Sequence, residues 1–237
     1  MEVEGTVDLE RDNQEPIPGL VGRQSSFVET LPQSIRYASA LKKGDHMVLF
    51  YDNLVVAAEY LSAFIDAAIE LHEPTCFVGL SHRQYETMFD QVGIRINELE
   101  NGGYLKHIPT EDFLLQDGSF SKERMLENIE KLLTTTSESD SREFRFIIMN
   151  PPSDGRMKVP EIMELERALE GLRQRPICVI CCYPSEKTII DEPKPYFLLE
   201  LLRSHNHCLF QGVGISTIDL MDKFGQIPTL RAETPDG

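Results

Sequence analysis

Basic residues are scarce in this chain. Lys and Arg together number 23 against 39 Asp and Glu, a formal charge of −16 over 237 residues. So acidic a surface repels DNA, RNA and anionic membranes, whose binding is driven largely by Lys and Arg at phosphates. Direct nucleic-acid and membrane partners are therefore not expected, whereas solubility or a basic partner is. Long apolar runs are also missing. No stretch approaches the roughly 18 consecutive apolar residues of a membrane span. Met1–Glu15 is acidic, where a secretory leader is basic and then apolar. A disulfide framework is improbable too, because the cysteine count of 5 is odd and Cys181 and Cys182 are adjacent. Together these absences describe a cytoplasmic chain with reduced thiols.

What is present is alternation. Strand-sized apolar runs lie at Met47–Tyr51, Thr75–Leu80, Tyr104–Ile108, Phe144–Met149, Ile177–Cys182 and Cys208–Val213. Helical patterns separate them. In Leu54–Leu71 the residues Leu54, Ala57, Ala58, Leu61, Ile65 and Ala68 make an apolar stripe opposite Glu59, Ser62, Asp66 and Glu70. Ser81 with Gln84 forms a capping box, Ser121 caps a helix over Lys122–Thr136, and Pro160 and Pro195 suit helix starts. Gln33–Lys43 reads as a short helix ended by Gly44, and Thr134–Arg142 as a polar loop. Strands apolar throughout, alternating with helices, predict a three-layer α/β/α fold with a mostly parallel central sheet. Residues 1–30 are expected to be a flexible acidic tail, 31–216 a single α/β domain and 217–237 a C-terminal extension.

One further absence excludes a function class. A phosphate-binding loop needs glycines, then Lys and Ser/Thr, between the first strand and its helix, so that backbone N–H groups can wrap the anion. That turn reads Tyr51-Asp52-Asn53-Leu54, with no glycine, no lysine and a carboxylate where phosphates would lie. The Phe144–Met149 run, which matches a strand ending in a metal-directing acid in such enzymes, ends instead in Asn150-Pro151-Pro152. Hydrolysis of ATP by this machinery is not expected, and no catalytic triad, nucleophile elbow or acid–base carboxylate pair takes its place.

Metal and ligand candidates are few. Cys178-Val179-Ile180-Cys181 has C-x-x-C spacing, yet on a strand the two thiols face opposite sides of the sheet, so they read as core residues. His205 and His207 share a side if extended but lack further ligands, so no metal and no cofactor is expected. Glu166 lies roughly 80° from the centre of its helix's apolar stripe at about 100° per residue. A carboxylate there is half-solvated or paired with Arg, or it faces a pocket that raises its pKa. Ligands in open parallel sheets bind beyond the carboxyl ends of the strands. Here those ends are Tyr51-Asp52, Ser81-His82, Asn150 and Tyr183-Pro184, whose two phenols, amide and histidine would form an amphipathic rim or are ordinary loop residues.

The segments Gly44-Asp45-His46-Met47-Val48-Leu49-Phe50-Tyr51, Gly103-Tyr104-Leu105, Asp117-Gly118-Ser119-Phe120, Leu165-Glu166 and Ile177–Tyr183 resemble those of the MEDS domain. This methanogen/methylotroph sensory domain also occurs in a dichloromethane-responsive bacterial repressor. The resemblance spans about His46 to Gly214. It implies a RecA-like, circadian-clock-ATPase-like fold without a working nucleotide loop, and sensing of small organic molecules in signal transduction and transcription regulation. The matching positions are His46, Tyr51, Glu166, Cys181 and Tyr183. Many members carry an acidic residue near the end of the fourth strand, where this chain has Met149-Asn150.

His46 and Tyr51 stand about 16 Å apart on one strand at roughly 3.3 Å per residue. Tyr51 is thus the better ligand residue, while His46 is expected to order the strand start through a hydrogen bond. The leading expectation is a non-enzymatic sensory domain whose ligand residues are Tyr51, Asp52, Asn150, Glu166, Cys181 and Tyr183. It would signal to a protein partner or act as a homo-oligomer. The alternative is a degenerate RecA-like subunit serving as an interaction scaffold. A third reading, acid–base catalysis by Tyr51, Asp52 and Tyr183, is demanded by no feature.

Overall fold

A computed structural model of the chain describes residues 33–135, 143–149, 157–185, 195–210 and 213–216. In chain order the elements are α1 (Gln33–Ser39), β1 (His46–Tyr51), α2 (Leu54–Glu70), β2 (Thr75–Gly79), α3 (His82–Asp90), α4 (Ile96–Asn101) and β3 (Leu105–Pro109). Then follow α5 (Thr110–Phe113), β4 (Leu115–Gln116), β5 (Ser119–Phe120), α6 (Lys122–Thr135), β6 (Phe144–Met149) and α7 (Val159–Glu170). The last are β7 (Ile177–Pro184), α8 (Pro195–Ser204), β8 (His207–Phe210) and β9 (Val213–Ser216).

The central sheet runs β3-β2-β6-β7-β1-β8-β9. Its first six strands are mutually parallel, and β9 returns antiparallel to β8. The run expected as one strand over Cys208–Val213 is thus two strands, β8 and β9. A small hairpin, β4-β5, stands apart from the sheet. The remaining strands and most helices fall where the apolar periodicity placed them. Helix α1 ends at Ser39, short of the Lys43 expected from the sequence. Helix α4 was not anticipated. The predicted tail over residues 1–30 and the extension over 217–237 lie outside the described residues, as does most of the polar segment after α6.

The three-layer architecture follows from the order of travel. From β1 the chain moves outward to β2 and β3, and α2, α3 and α4 pack on one face around Met47, Leu49, Phe77 and Ile147. It then comes back through β6, β7 and β8, and α5 to α8 pack on the other face around Val48, Phe146, Val179 and Leu165. Reversing direction across a sheet while keeping one crossover hand demands this change of face. The switch falls between β1 and β7, so their side chains divide strictly by parity. Val48 and Phe50 pair in register with Cys181 and Tyr183 on the α7/α8 face, while Tyr51, Cys178 and Cys182 belong to the opposite face.

The predicted caps are in place. Ser81 and Gln84 form a capping box, Ser121 Oγ accepts the Arg124 N–H at 3.2 Å, and Glu161 accepts the Lys158 N–H at 2.7 Å at the start of α7.

A buried histidine–glutamate–cysteine–tyrosine cluster

Between the sheet and the α7/α8 layer, five polar side chains meet in an otherwise apolar core. Each arrives for a local reason. In β7 the alternation of side chains sends Cys181 and Tyr183 to the α7/α8 face. Two residues before Val48 on β1, the same parity sends His46 there. Helix α7 buries Ile162, Met163, Leu165 and Leu169, and Glu166 lies within that stripe at 0% exposure. His205 directly follows α8, where the chain turns to meet the amino end of β1 and the Asn206 N–H donates to His46 O at 2.9 Å.

The geometry is convergent. Glu166 Oε2 lies 3.2 Å from His46 Nε2 and 3.2 Å from His205 Nε2. His46 Nε2 is also 3.4 Å from Cys181 Sγ, and the two imidazole rings lie against each other with centroids 3.9 Å apart and planes tilted by 34°. The other carboxylate oxygen, Glu166 Oε1, accepts a short hydrogen bond from the Tyr183 hydroxyl. On their far sides both rings are tied to the end of α8. His46 Nδ1 lies 2.9 Å from Ser204 O, and His205 Nδ1 lies 2.6 Å from Leu201 O. A carbonyl can only accept, so each Nδ1 carries the donated hydrogen. In the neutral ring, Nε2 then presents its lone pair to the cluster. Glu166 Oε2, fully buried, receives no aligned hydrogen bond at all.

The charges respond to this crowding. Burial alone would raise the Glu166 carboxyl, but the neighbouring His205 and His46 rings, in their protonated form, more than reverse it and hold the group below the usual carboxylate range. Burial, reinforced by His205, drives His46 down to about 4 against the opposing pull of Glu166 and the Ser204 carbonyl. Burial and then the Glu166 charge push the Cys181 thiol and the Tyr183 phenol well above their ordinary values. The result is an ionised carboxylate ringed by a phenol, a thiol and imidazole nitrogens.

Of the residues nominated from sequence, Glu166, Cys181 and Tyr183 come together here. Tyr51 does not: it is buried on the opposite face of the sheet among α2 and α3 residues. Asp52 is exposed, and Asn150 lies outside the described residues. His46, expected to order the strand start, donates its backbone N–H to Asn206 Oδ1 at 2.6 Å, and its ring is a full member of the cluster. Glu166 is neither half-solvated, nor paired with Arg, nor raised in pKa. His205 had been weighed only beside His207. The structure parts them, with His207 lying 2.7 Å from the Tyr37 hydroxyl and 3.1 Å from Asp45 Oδ1.

At the position of a nucleotide loop, the amino end of α2 is closed by the protein itself. Asn53 Oδ1 accepts the Val56 N–H at 3.0 Å, and Asn53 O accepts the Ala57 N–H at 3.2 Å. The molecule is thus an α/β/α domain with a mostly parallel sheet, a self-capped α2 after the first strand and a buried polar cluster. The chain belongs to the MEDS family, the methanogen/methylotroph, DcmR sensory domain, whose model matches residues 45–206. No curated protein sequence matches it. Among solved structures, a KaiC-like protein from the hyperthermophilic archaeon Pyrococcus horikoshii OT3 aligns at a TM-score of 0.46. The two chains are 15% identical, and the alignment covers 70% of each.

Proposed function

We propose that this is a non-catalytic sensory and regulatory domain that binds a small organic molecule and passes that event to a protein partner or a second copy of the chain. Membership of a sensory family supplies the class of role. The single observation that supports the non-nucleotide reading is the Asn53 cap. A phosphate seated at the amino end of α2 would have to displace the Asn53–Val56 hydrogen bond and lie beside the Asp52 carboxylate. One of the N–H groups that make helix amino ends anion sites is here taken by the Asn53 side chain. Among the described residues no helix is long and apolar enough to cross a membrane. The free, buried cysteines suit a reducing compartment such as the cytoplasm.

The ligand end of the sheet is also narrower than a rim shared by Tyr51 and Tyr183, which point to opposite faces. On the α7/α8 side, Phe50 packs against Tyr183 with centroids 6.5 Å apart and edge-on against Phe210 at 5.9 Å. Phe210 is half-buried at the carboxyl end of β8. This aromatic wall suits a small, partly apolar molecule.

Thermal-shift and native mass spectrometry titrations with small halogenated and methylated organic compounds, run beside Mg-ATP, test the reading. A rise in melting temperature with an organic compound, reduced in Phe210→Ala, and no response to Mg-ATP is the expected pattern. Stabilisation by Mg-ATP with turnover, and no response to any organic compound, would overturn it.

A further inference from the structure

We propose that His46 Nε2, His205 Nε2, Glu166 Oε2 and Cys181 Sγ form a tetrahedral binding site for a divalent transition-metal ion of the zinc type. These four atoms all lie within 4.8 Å of one another. The separations can be compared with what a metal would impose. In a tetrahedral zinc site with Zn–N and Zn–O near 2.0–2.1 Å and Zn–S near 2.3 Å, the N···O edge is about 3.3 Å and the N···S edge about 3.6 Å. The two N···O separations are both 3.2 Å, and the N···S separation is 3.4 Å. Three of the six edges of a coordination tetrahedron are thus already at the required spacing.

Orientation supports the same assignment. Each ring gives its Nδ1–H to a carbonyl of the last turn of α8, Ser204 O or Leu201 O, and so turns Nε2 inward as a ligating nitrogen. Metal-bound imidazoles carry this outer hydrogen bond almost without exception. Arg173 Nη2 donates to the same Ser204 O at 2.9 Å and steadies that carbonyl. Tyr183 occupies Glu166 Oε1, leaving Oε2, the oxygen without an aligned hydrogen bond, for the ion. The charges also close: two neutral imidazoles, one carboxylate and one thiolate total −2, which a divalent cation neutralises within the core. Without the ion, a carboxylate, a thiol and two imidazoles crowd into a low-dielectric interior, where burying charge is costly. The donor set of two imidazoles, a thiolate and a carboxylate suits zinc, cobalt(II) or iron(II). Magnesium and calcium require all-oxygen sites.

With four protein ligands and no exposure above 2% among them, the site has no open position for substrate. It is the closed kind that holds a fold together rather than the kind that activates water. The ion would join β1, α7, β7 and the α8–β8 junction, segments far apart in sequence. This assignment stands whether or not the domain senses an organic ligand, since it needs no contact with one.

The test uses the full chain without a histidine tag. Elemental analysis of the purified protein is expected to show one zinc or iron per chain. Chelator-stripped protein that is still folded by circular dichroism should take up cobalt(II) stoichiometrically. Its spectrum should show an intense ligand-field band of tetrahedral type and a thiolate-to-cobalt charge-transfer band. Cys181→Ser should lose the charge-transfer band, while Cys182→Ser, altered on the opposite face of the sheet, should keep it. Should His205→Ala or Cys181→Ser fail to fold, Tyr183→Phe keeps the proposal falsifiable. It retains all four ligands and should bind the metal about 10–100-fold more weakly through loss of an outer hydrogen bond. A folded chain that takes up neither zinc nor cobalt, or a charge-transfer band unchanged in Cys181→Ser, would overturn the site. Because metal uptake is read without any organic compound, its failure is separate from a failure of the sensory reading.

Discussion

Arg145 offers the sharpest test of how the amino end of the sheet is held. It sits second in β6 with 1% of its side chain exposed, and its Nε lies 2.5 Å from Glu73 Oε2, itself only 10% exposed. Its other guanidinium nitrogens reach the carbonyls of Phe64 and Leu41 at 3.4 and 3.3 Å, and its Cζ stands 4.6 Å from the centre of the Phe64 ring. One side chain therefore ties β6, α2, the segment before β1 and the Glu73 turn. Arg145→Met keeps much of the apolar stem but strands the Glu73 carboxylate and two carbonyls. Removing one partner of a buried ion pair costs about 3–5 kcal/mol. For a domain of this size each kcal/mol lowers the melting temperature by about 2–4 °C, so a fall of roughly 10 °C is expected. Urea and thermal denaturation of wild type, Arg145→Met, Glu73→Gln and the double variant complete a cycle. The double variant should be more stable than Arg145→Met, because the uncompensated charge is gone. If Arg145→Met lies within about 1 kcal/mol of wild type, or the two substitutions simply add, the pair is solvated and the reasoning fails.

Two further outcomes follow from the packing. Gly79 closes β2 at φ +140°, and a Cβ there would come 2.2 Å from Met149 O. Gly79→Ala must therefore part β2 from β6 at their carboxyl ends, and a loss of at least about 2 kcal/mol in urea denaturation is expected; an unchanged midpoint would refute the close approach. All five cysteines are free and buried, with burial pushing Cys76 and Cys208 up to about 12 and Cys181 well above its ordinary value. Iodoacetamide at pH 8 should leave every thiol unmodified in native buffer and alkylate all of them in guanidinium. Rapid native labelling of any one would show that its strand opens.

Much of the fold was legible because it rests on local pattern. The α2 stripe from Leu54 to Ala68, the Ser81–Gln84 box and the Ser121 cap are signals within a few residues of chain, and the structure contains each of them. What local pattern misses is pairing at distance. Cys208–Val213 is continuous in hydrophobicity, and nothing in it marks the reversal into β9. Arg145 interrupts Phe144–Met149 without weakening its strand character. Its meaning depends on Glu73, Phe64 and Leu41, which are brought near only by the β2–β6 pairing and the packing of α2.

The site was partly legible for the same reason. Period-two alternation correctly separated Cys178 from Cys181, and helical phase placed Glu166 at the edge of the buried stripe. The rule for open α/β sheets, that ligands gather beyond the carboxyl ends, drew attention to the rim and away from a polar cluster that lies inside. Parity could have redirected it. His46, Cys181 and Tyr183 fall on the same side of adjacent parallel strands once β1 and β7 are known to pair with Val48 opposite Cys181, and Tyr51 falls on the other. The strand order that supplies this register is not written in any one segment. His205 was harder still, because its place depends on α8 ending where β1 begins. That junction brings the histidine spaced 159 residues from His46 by number (205 − 46) into ring contact with it. A polar residue at each of four distant positions looks incidental one at a time. Folded together around one carboxylate oxygen, they form a polar cluster inside an apolar core, where each unbalanced group is costly.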